Sequence, residues 1–288
     1  MRRTSRRDHA WLYPILSLAL AVGILLAFGL TWWHALAVTA LLGCPLVILW
    51  GLIFSWSQPE AGSELAPETD GMTIEWIAPF YDRLCTLLGL GRAFRRQILE
   101  VAALKAGERV LDAGCGTGVW TRLAAEAVGS SGQVIGFDPG PRMIGIARRN
   151  AARDGSGAAF ELAAVEKLPF EDASFDLALL SLVLHHLPAE VKRSGLKEIG
   201  RVLRPGGRLI IVDLDRSDSV LWRIVLWLLS YVGTSADAFE GKLPIYLREA
   251  GFEPVTVEGR WRKSLTLWRA MKPLSSIASV ETPAKSTD

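Results

Sequence analysis

Between Ala10 and Pro59 this 288-residue chain has no Asp, Glu, Lys or Arg. So long an uncharged run does not belong on the surface of a soluble domain, and it accounts for a mean hydropathy of +0.26, high for a soluble enzyme. Cysteine is also scarce. Cys44, Cys85 and Cys115 form no pair at metal-site spacing, and an odd, unpatterned set argues against a disulfide framework. They read as three free thiols in a reducing compartment; Cys115, inside a glycine-rich turn, is either a reactive thiol or a small residue suited to the turn. A basic excess is missing too. Arg2, Arg3, Arg6, Arg7 and Asp8 carry all the charge before residue 60, and the rest is near neutral, which argues against nucleic-acid binding. No internal repeat is present.

What the uncharged run does contain is room for two membrane spans of about 20 residues each. The first covers roughly 11–30 and the second 35–54, with Thr31-Trp32-Trp33-His34 between them. Trp11, Tyr13 and Trp56 fall near one interface and Trp32 and Trp33 near the other, as an aromatic belt requires. Pro45 lies inside the second span, where a neighbouring helix tolerates a kink. The four leading arginines keep that end in the cytoplasm, and two spans return the chain there. A cleaved signal of twin-arginine type at Ser5-Arg6-Arg7 is the alternative. Its apolar region would be only about 7–15 residues long, no small-residue cleavage site follows, and the second span would be unexplained.

Residues 1–56 are therefore expected to be a transmembrane hairpin. Residues 57–73, rich in Pro, Gly, Ser and acids, read as a linker, 74–272 as a catalytic domain and 273–288 as a disordered tail. Within the domain, short apolar runs alternate with helical stretches. Strands are expected at 108–112, 133–138, 158–163, 175–181 and 208–213. Helices are expected at 120–128, 141–153 and 189–203, the last closed by Arg204-Pro205-Gly206-Gly207. This alternation implies an α/β, Rossmann-like, doubly wound and mainly parallel sheet, with its ligand beyond the carboxyl ends of the strands.

The first strand runs into Asp112 and then Gly114, Gly116 and Gly118. Glycine permits positive φ and removes the Cβ that would hold a ligand away, and the following helix offers free N–H groups to an anion. The next strand ends in Asp138, about 20 residues on, where an acid meets ribose hydroxyls. An adenosine-containing ligand follows. The spacing G-x-G-x-G leaves NAD and S-adenosylmethionine both open, although a dehydrogenase more usually carries G-x-G-x-x-G.

An ordered series of motifs resembles a known family. D-A-G-C-G-T-G at 112–118, G-F-D-P at 136–139, L-P-F at 168–170, S-F-D-L at 174–177, H-H-L-P at 185–188 and L-R-P-G-G-R-L at 203–209 are similar to the class I S-adenosylmethionine-dependent methyltransferases. Within that class the likeness is to the branch of ubiquinone/menaquinone C-methyltransferases and bacterial phosphatidylethanolamine N-methyltransferases, including A-P-F-Y-D-R-L at 78–84. It covers about residues 76–213. The resemblance implies S-adenosylmethionine as cofactor, with Asp112, Gly114 and Gly116 at its methionine end and Asp138 on its ribose. The family usually carries an acid for the adenine amino group where this chain has Ala164, so adenine is left to the Val165 backbone or to Glu166. The set expected to hold the cofactor is Asp112, Gly114, Gly116, Gly118, Asp138, Val165, Glu166, Ser181 and Tyr81, with Tyr81 either closing over it or packing. No metal is expected.

The acceptor should approach from the strand ends, near Ser181 to His186. His185 and His186 are the candidate general bases; the other reading is that they start a helix and shape the pocket. Asp213 and Asp215 face either the acceptor or solvent. Residues 220–232, VLWRIVLWLLSYV, are too short to span a membrane comfortably and read as a buried cap or as an interfacial helix that takes lipid from the bilayer. The expected enzyme is a membrane-anchored methyltransferase, its catalytic domain cytoplasmic, acting on a lipophilic acceptor such as a phospholipid amine or a quinone ring. Alternatives are a methyltransferase of a small soluble acceptor, a non-catalytic cofactor-binding membrane protein, and an NAD-dependent oxidoreductase. The oligomeric state is not legible.

Overall fold

A computed structural model describes residues 66–73, 75–215, 240–262 and 265–274. The chain divides into two units, Met1–Glu60 and Ala61–Asp288, and every described residue belongs to the second. Both expected spans, the stretch 220–232 and residues 275–288 lie outside the described residues. Among the described residues no helix is long and apolar enough to cross a membrane.

The chain enters through a 3-10 turn, Glu75–Phe80, and two helices, α1 (Tyr81–Leu87) and α2 (Arg92–Ala102). Then follow β1 (Arg109–Ala113), α3 (Val119–Val128), β2 (Gln133–Asp138), α4 (Pro141–Asp154), β3 (Ala159–Leu162), β4 (Phe175–Ser181), α5 (Ala189–Val202) and β5 (Leu203–Leu214). Past residue 240 come α6 (Leu243–Glu249), β6 (Val255–Trp261) and β7 (Leu265–Met271). The strands form one sheet in the order β3-β2-β1-β4-β5-β7-β6. β1 to β5 pair in parallel, and β7 runs antiparallel to both β5 and β6.

Side-chain alternation sorts the sheet into two faces. Leu177 and Leu179 of β4 and Ile210 and Val212 of β5 pack with Phe94 and Ile98 of α2 and Trp120 and Ala124 of α3. Their neighbours Ala178, Leu180, Leu209 and Ile211 pack with Leu196 and Ile199 of α5 and Leu247 of α6. Because both faces are covered, the central strands are apolar at nearly every position, as buried parallel strands are. Strand order reverses between β1 and β4, so the loops after these two strands diverge and leave a crevice at the sheet's carboxyl edge. The glycine turn follows β1, and the His185–His186 segment follows β4.

The expected parallel, doubly wound core is present, with β2 and β4 at their expected bounds. β5 differs: it starts at Leu203 rather than 208, because Leu203 pairs with Phe175 and Arg208 with Leu177, and the bulge between them absorbs the Arg-Pro-Gly-Gly stretch instead of ending the ladder. The lead-in helices and everything beyond residue 240 are additional elements.

Candidate active site

Gly114, Gly116 and Gly118 all adopt positive φ, at 69°, 54° and 72°. They turn the chain from β1 into α3 and leave a cavity on either side of the turn. The first is lined by Gly114, Gly116, Asp138, Val165, Glu166, Ser181 and His186, with Thr69, Glu75 and Tyr81 from the lead-in segment. The second lies between the turn and helices α1 and α2, bounded by Tyr81, Asp82, Cys85, Arg95, Asp112 and Ser181. Tyr81, Gly114, Gly116 and Ser181 border both cavities.

Asp138 sits where β2 ends. Its Oδ2 accepts the Gly116 N–H at 3.0 Å and its Oδ1 accepts the Gly140 N–H at 2.9 Å. Burial pushes this carboxyl up to about 6, against the pull of those two amides, and the charge of Glu75 adds to the rise. Glu75 itself accepts the Arg142 N–H at 3.1 Å, at the open end of α4. Asp112 is buried more deeply: Thr121 Oγ1 donates to its Oδ2 at 2.6 Å, and burial, followed by the charge of Asp138, raises it to about 7. Both carboxylates are thus easily protonated until a ligand supplies donors or positive charge.

Glu166 Oε1 accepts the Thr69 hydroxyl at 2.7 Å, while its Oε2 is buried with no hydrogen-bond partner. Met72 N–H donates to the His186 carbonyl at 3.2 Å. The last residues of the stretch read as a linker, 69–73, therefore run along the first cavity. Thr117 Oγ1 donates to Asp82 Oδ1 at 2.6 Å and ties α1 to the glycine turn. The Tyr81 hydroxyl is held protonated, its pKa raised by burial and then by the neighbouring Cys85. Burial likewise pushes the Cys115 thiol well above its usual range, so the small-residue reading of Cys115 prevails over the reactive one.

The two histidines separate into different roles. His186 lines the first cavity, and its Nδ1 is buried with no hydrogen-bond partner. Burial, with the charge of His185 as the second cause, lowers it to about 4, so the ring is neutral near pH 7. His185 lines neither cavity. Its Nδ1 lies 2.6 Å from Asp213 Oδ1, and its ring packs against His186, tilted by 44° with centroids 3.9 Å apart. Asp213 also accepts the Leu184 N–H at 2.7 Å and the Leu214 N–H at 2.7 Å. Burial opposes its ionisation, but His185 and the backbone donors hold it below the usual carboxylate range. Asp213 therefore faces His185, neither the acceptor space nor solvent. Asp215 accepts from Thr266 Oγ1 at 2.8 Å, which ties it to β7.

Of the expected cofactor set, Asp112, Gly114, Gly116, Asp138, Val165, Glu166, Ser181 and Tyr81 all border one of the two cavities. Gly118 does not. It begins α3 in the left-handed region, and a Cβ there would lie 2.5 Å from Phe160 Cε1, so this glycine serves packing between turn and helix. Sequence reading missed Thr69, Glu75 and Thr117, whose partners lie far along the chain, and Arg95. Arg95 borders the second cavity and forms no ion pair with any described residue. The residues fit S-adenosylmethionine: Glu166 Oε2 is an acceptor for an amino group, Asp138 for a pair of hydroxyls and Asp112 for a cation, and Arg95 is a partner for a carboxylate.

These protonation states give a pH dependence. A hydroxyl-accepting Asp138 must be ionised, so affinity for S-adenosylmethionine should fall as pH drops through about 6, with roughly a tenfold loss by pH 5. Asp112, at about 7, should steepen that loss. Titration calorimetry from pH 5 to 8 measures it, and a flat profile would remove Asp138 as the ribose ligand.

A family model described as a methyltransferase domain matches residues 110–207. The chain is 38% identical over 165 residues to the 2-phytyl-1,4-naphtoquinone methyltransferase of Synechococcus elongatus, covering 56% of this chain and 70% of that protein. It is 29% identical over 222 residues to the ubiquinone/menaquinone biosynthesis C-methyltransferase UbiE of Ectopseudomonas mendocina, covering 68% of this chain and 86% of that one. Among solved structures, a SAM dependent methyltransferase from Aquifex aeolicus superposes with a TM-score of 0.50 at 22% identity, over 62% of this chain and 89% of that one, which speaks for the fold alone. The turn after β1, the acid ending β2 and the extent of the match to such relatives agree: this chain belongs to the S-adenosylmethionine-dependent methyltransferases.

Proposed function

We propose that this enzyme methylates the ring of a quinone-type, lipid-soluble acceptor in its reduced, hydroxyl-bearing form, and that residues 1–56 hold it to the membrane as a two-span hairpin with the domain on the cytoplasmic side. The observation that carries the acceptor class is the 38% identity to a naphthoquinone methyltransferase. The uncharged run from Ala10 to Pro59 supports the anchoring, since an acceptor with a long apolar tail stays in the bilayer.

S-adenosylmethionine, when bound, supplies a methyl group already activated by its sulfonium. The protein's work is alignment, worth roughly 7–11 kcal/mol in well-oriented reactions; the acceptor loses one proton for each methyl it gains and releases it to solvent. In this reading Asp138 and Glu166 fix the nucleoside end, and Asp112 and Arg95 the amino-acid end. Tyr81, protonated and bordering both cavities, shields the space between from water. His186, neutral with a free Nδ1, accepts a hydrogen bond from an acceptor hydroxyl. At about 4 its basicity is too low to hold a full proton, so it orients the hydroxyl. His185, held by Asp213, keeps the His186 ring in place.

The direct experiment is incubation of membranes containing the enzyme with methyl-labelled S-adenosylmethionine and a demethylated quinol, followed by chromatography. Label is expected in the quinone fraction. Label confined to phospholipid amines or to water-soluble products would overturn the proposed acceptor.

A further inference from the structure

Helix α1 and its C-terminal turn present leucines to water beside the second cavity. Tyr81 and Cys85, one turn apart, turn inward and border the second cavity. Leu84, Leu87 and Leu88 turn outward, 37%, 85% and 58% exposed, and no residue of the helix is buried. Single exposed leucines need no explanation, but three at helical spacing beside a ligand cavity form a patch. Its surroundings are basic. Arg83, one turn before Leu87, and Arg92, at the start of α2, are both exposed and have no carboxylate partner among the described residues. Arg262, also exposed and without such a partner, packs its guanidinium against Gly89 in the turn after Leu88.

Leucines framed by exposed arginines match an anionic bilayer interface: apolar side chains enter the acyl boundary and guanidinium groups meet lipid phosphates. The chain's own layout favours that occupant over another protein. The uncharged run ends at Pro59, only about 25 residues before Leu84, a distance that a short connection spans. We infer that the α1–α2 corner docks on the anionic membrane surface and brings the cavity under Tyr81 to the phase that holds the acceptor. The inference rests on the lipophilic-acceptor reading and deepens it by naming the surface through which the acceptor is met.

The test uses the full chain reconstituted in phosphatidylcholine vesicles with and without phosphatidylglycerol. A photoreactive benzoylphenylalanine is placed at position 87 and, as a control, at position 274, where Leu274 is 84% exposed. Lipid adducts are expected at position 87, at least fivefold above position 274 and rising with phosphatidylglycerol. In the same vesicles the Leu84→Ser, Leu87→Ser double variant should raise KM for an embedded quinol severalfold while Kd for S-adenosylmethionine stays unchanged. Equal adducts at the two positions, or adducts at position 87 that join two copies of the chain, would overturn the inference. The adduct readout needs no turnover, so it can fail while quinol methylation stands, or succeed if another lipid proves to be the acceptor.

Discussion

Replacing Asp138 by alanine is expected to weaken S-adenosylmethionine binding at least a hundredfold. A carboxylate that accepts two ribose hydroxyls makes two charge-assisted hydrogen bonds, each worth about 1.5–3 kcal/mol, and every 1.4 kcal/mol is about a factor of ten in affinity. Even the lower figures reach two orders of magnitude. The substitution also removes the acceptor for the Gly116 and Gly140 amides and so loosens the turn that the cofactor must meet. The ligand-free fold should respond much less. Burial raises Asp138 from the usual 3.8 to about 6, so its ionised form disfavours folding above the unfolded value, and this penalty disappears with the carboxyl. Loss of the two amide contacts acts in the opposite direction. Asp138→Asn should bind almost as poorly, because its amide nitrogen meets an N–H donor where an acceptor is needed. Calorimetry with S-adenosylhomocysteine, beside thermal melts without ligand, separates the two effects. Affinity within threefold of the parent enzyme would end the ribose assignment.

The parts of this site that could be read from sequence are those that local chemistry determines. β1, β2 and β4 announced themselves as short apolar runs because parallel strands covered on both faces have no polar side to interrupt them. The glycine turn and Asp138 were legible because a ligand crevice at a strand-order reversal demands both at a near-constant interval. Where the chain departs from those local rules, the reading lost ground. β6 is largely exposed and alternates little, so Val255–Trp261 carries no period-2 signal, and β7 is buried through its pairing with β5, which lies far earlier in the chain. Residues 69–73 have a linker's composition, yet Thr69 and Met72 are bound by Glu166 and by the His186 carbonyl, contacts that composition does not encode.

The histidine pair shows the same division at the level of function. Adjacent histidines after β4 were an evident place to look, but sequence treats them alike. Their difference comes from Asp213, 28 residues on in β5, which receives the His185 ring and leaves His186 facing the cavity. A strand-end acid looked equally able to face acceptor or solvent. Strand pairing decides, because Ser181 at the end of β4 lies beside Val212, and the next residue of β5 reaches the segment that follows β4.

Two glycines of the turn should fail in different ways when given a methyl group. At Gly118, φ is +72°, and a Cβ would lie 2.5 Å from Phe160 Cε1 and 3.0 Å from the Ala147 methyl, both in the small core under α4. The left-handed backbone penalty of roughly 1–2 kcal/mol adds to overpacking of about 1–3 kcal/mol, so Gly118→Ala should lose about 2–5 kcal/mol of stability. The cofactor affinity of the molecules that remain folded should be nearly unchanged. At Gly116, φ is +54° and the nearest atom to a Cβ is Tyr81 Cε1 at 3.7 Å, an ordinary contact. Gly116→Ala should therefore cost only about 1–2 kcal/mol of stability, the backbone penalty alone. Its methyl, however, stands between the turn and Tyr81, which border both cavities, where a cofactor must pass close to the backbone. Binding should weaken at least tenfold. Denaturant unfolding and calorimetry on the two variants test the contrast. A Gly118→Ala protein that is stable but cannot bind, or a Gly116→Ala protein that binds normally, would reverse the roles assigned to these glycines: one holds the turn on its helix, and the other keeps the way open for the ligand.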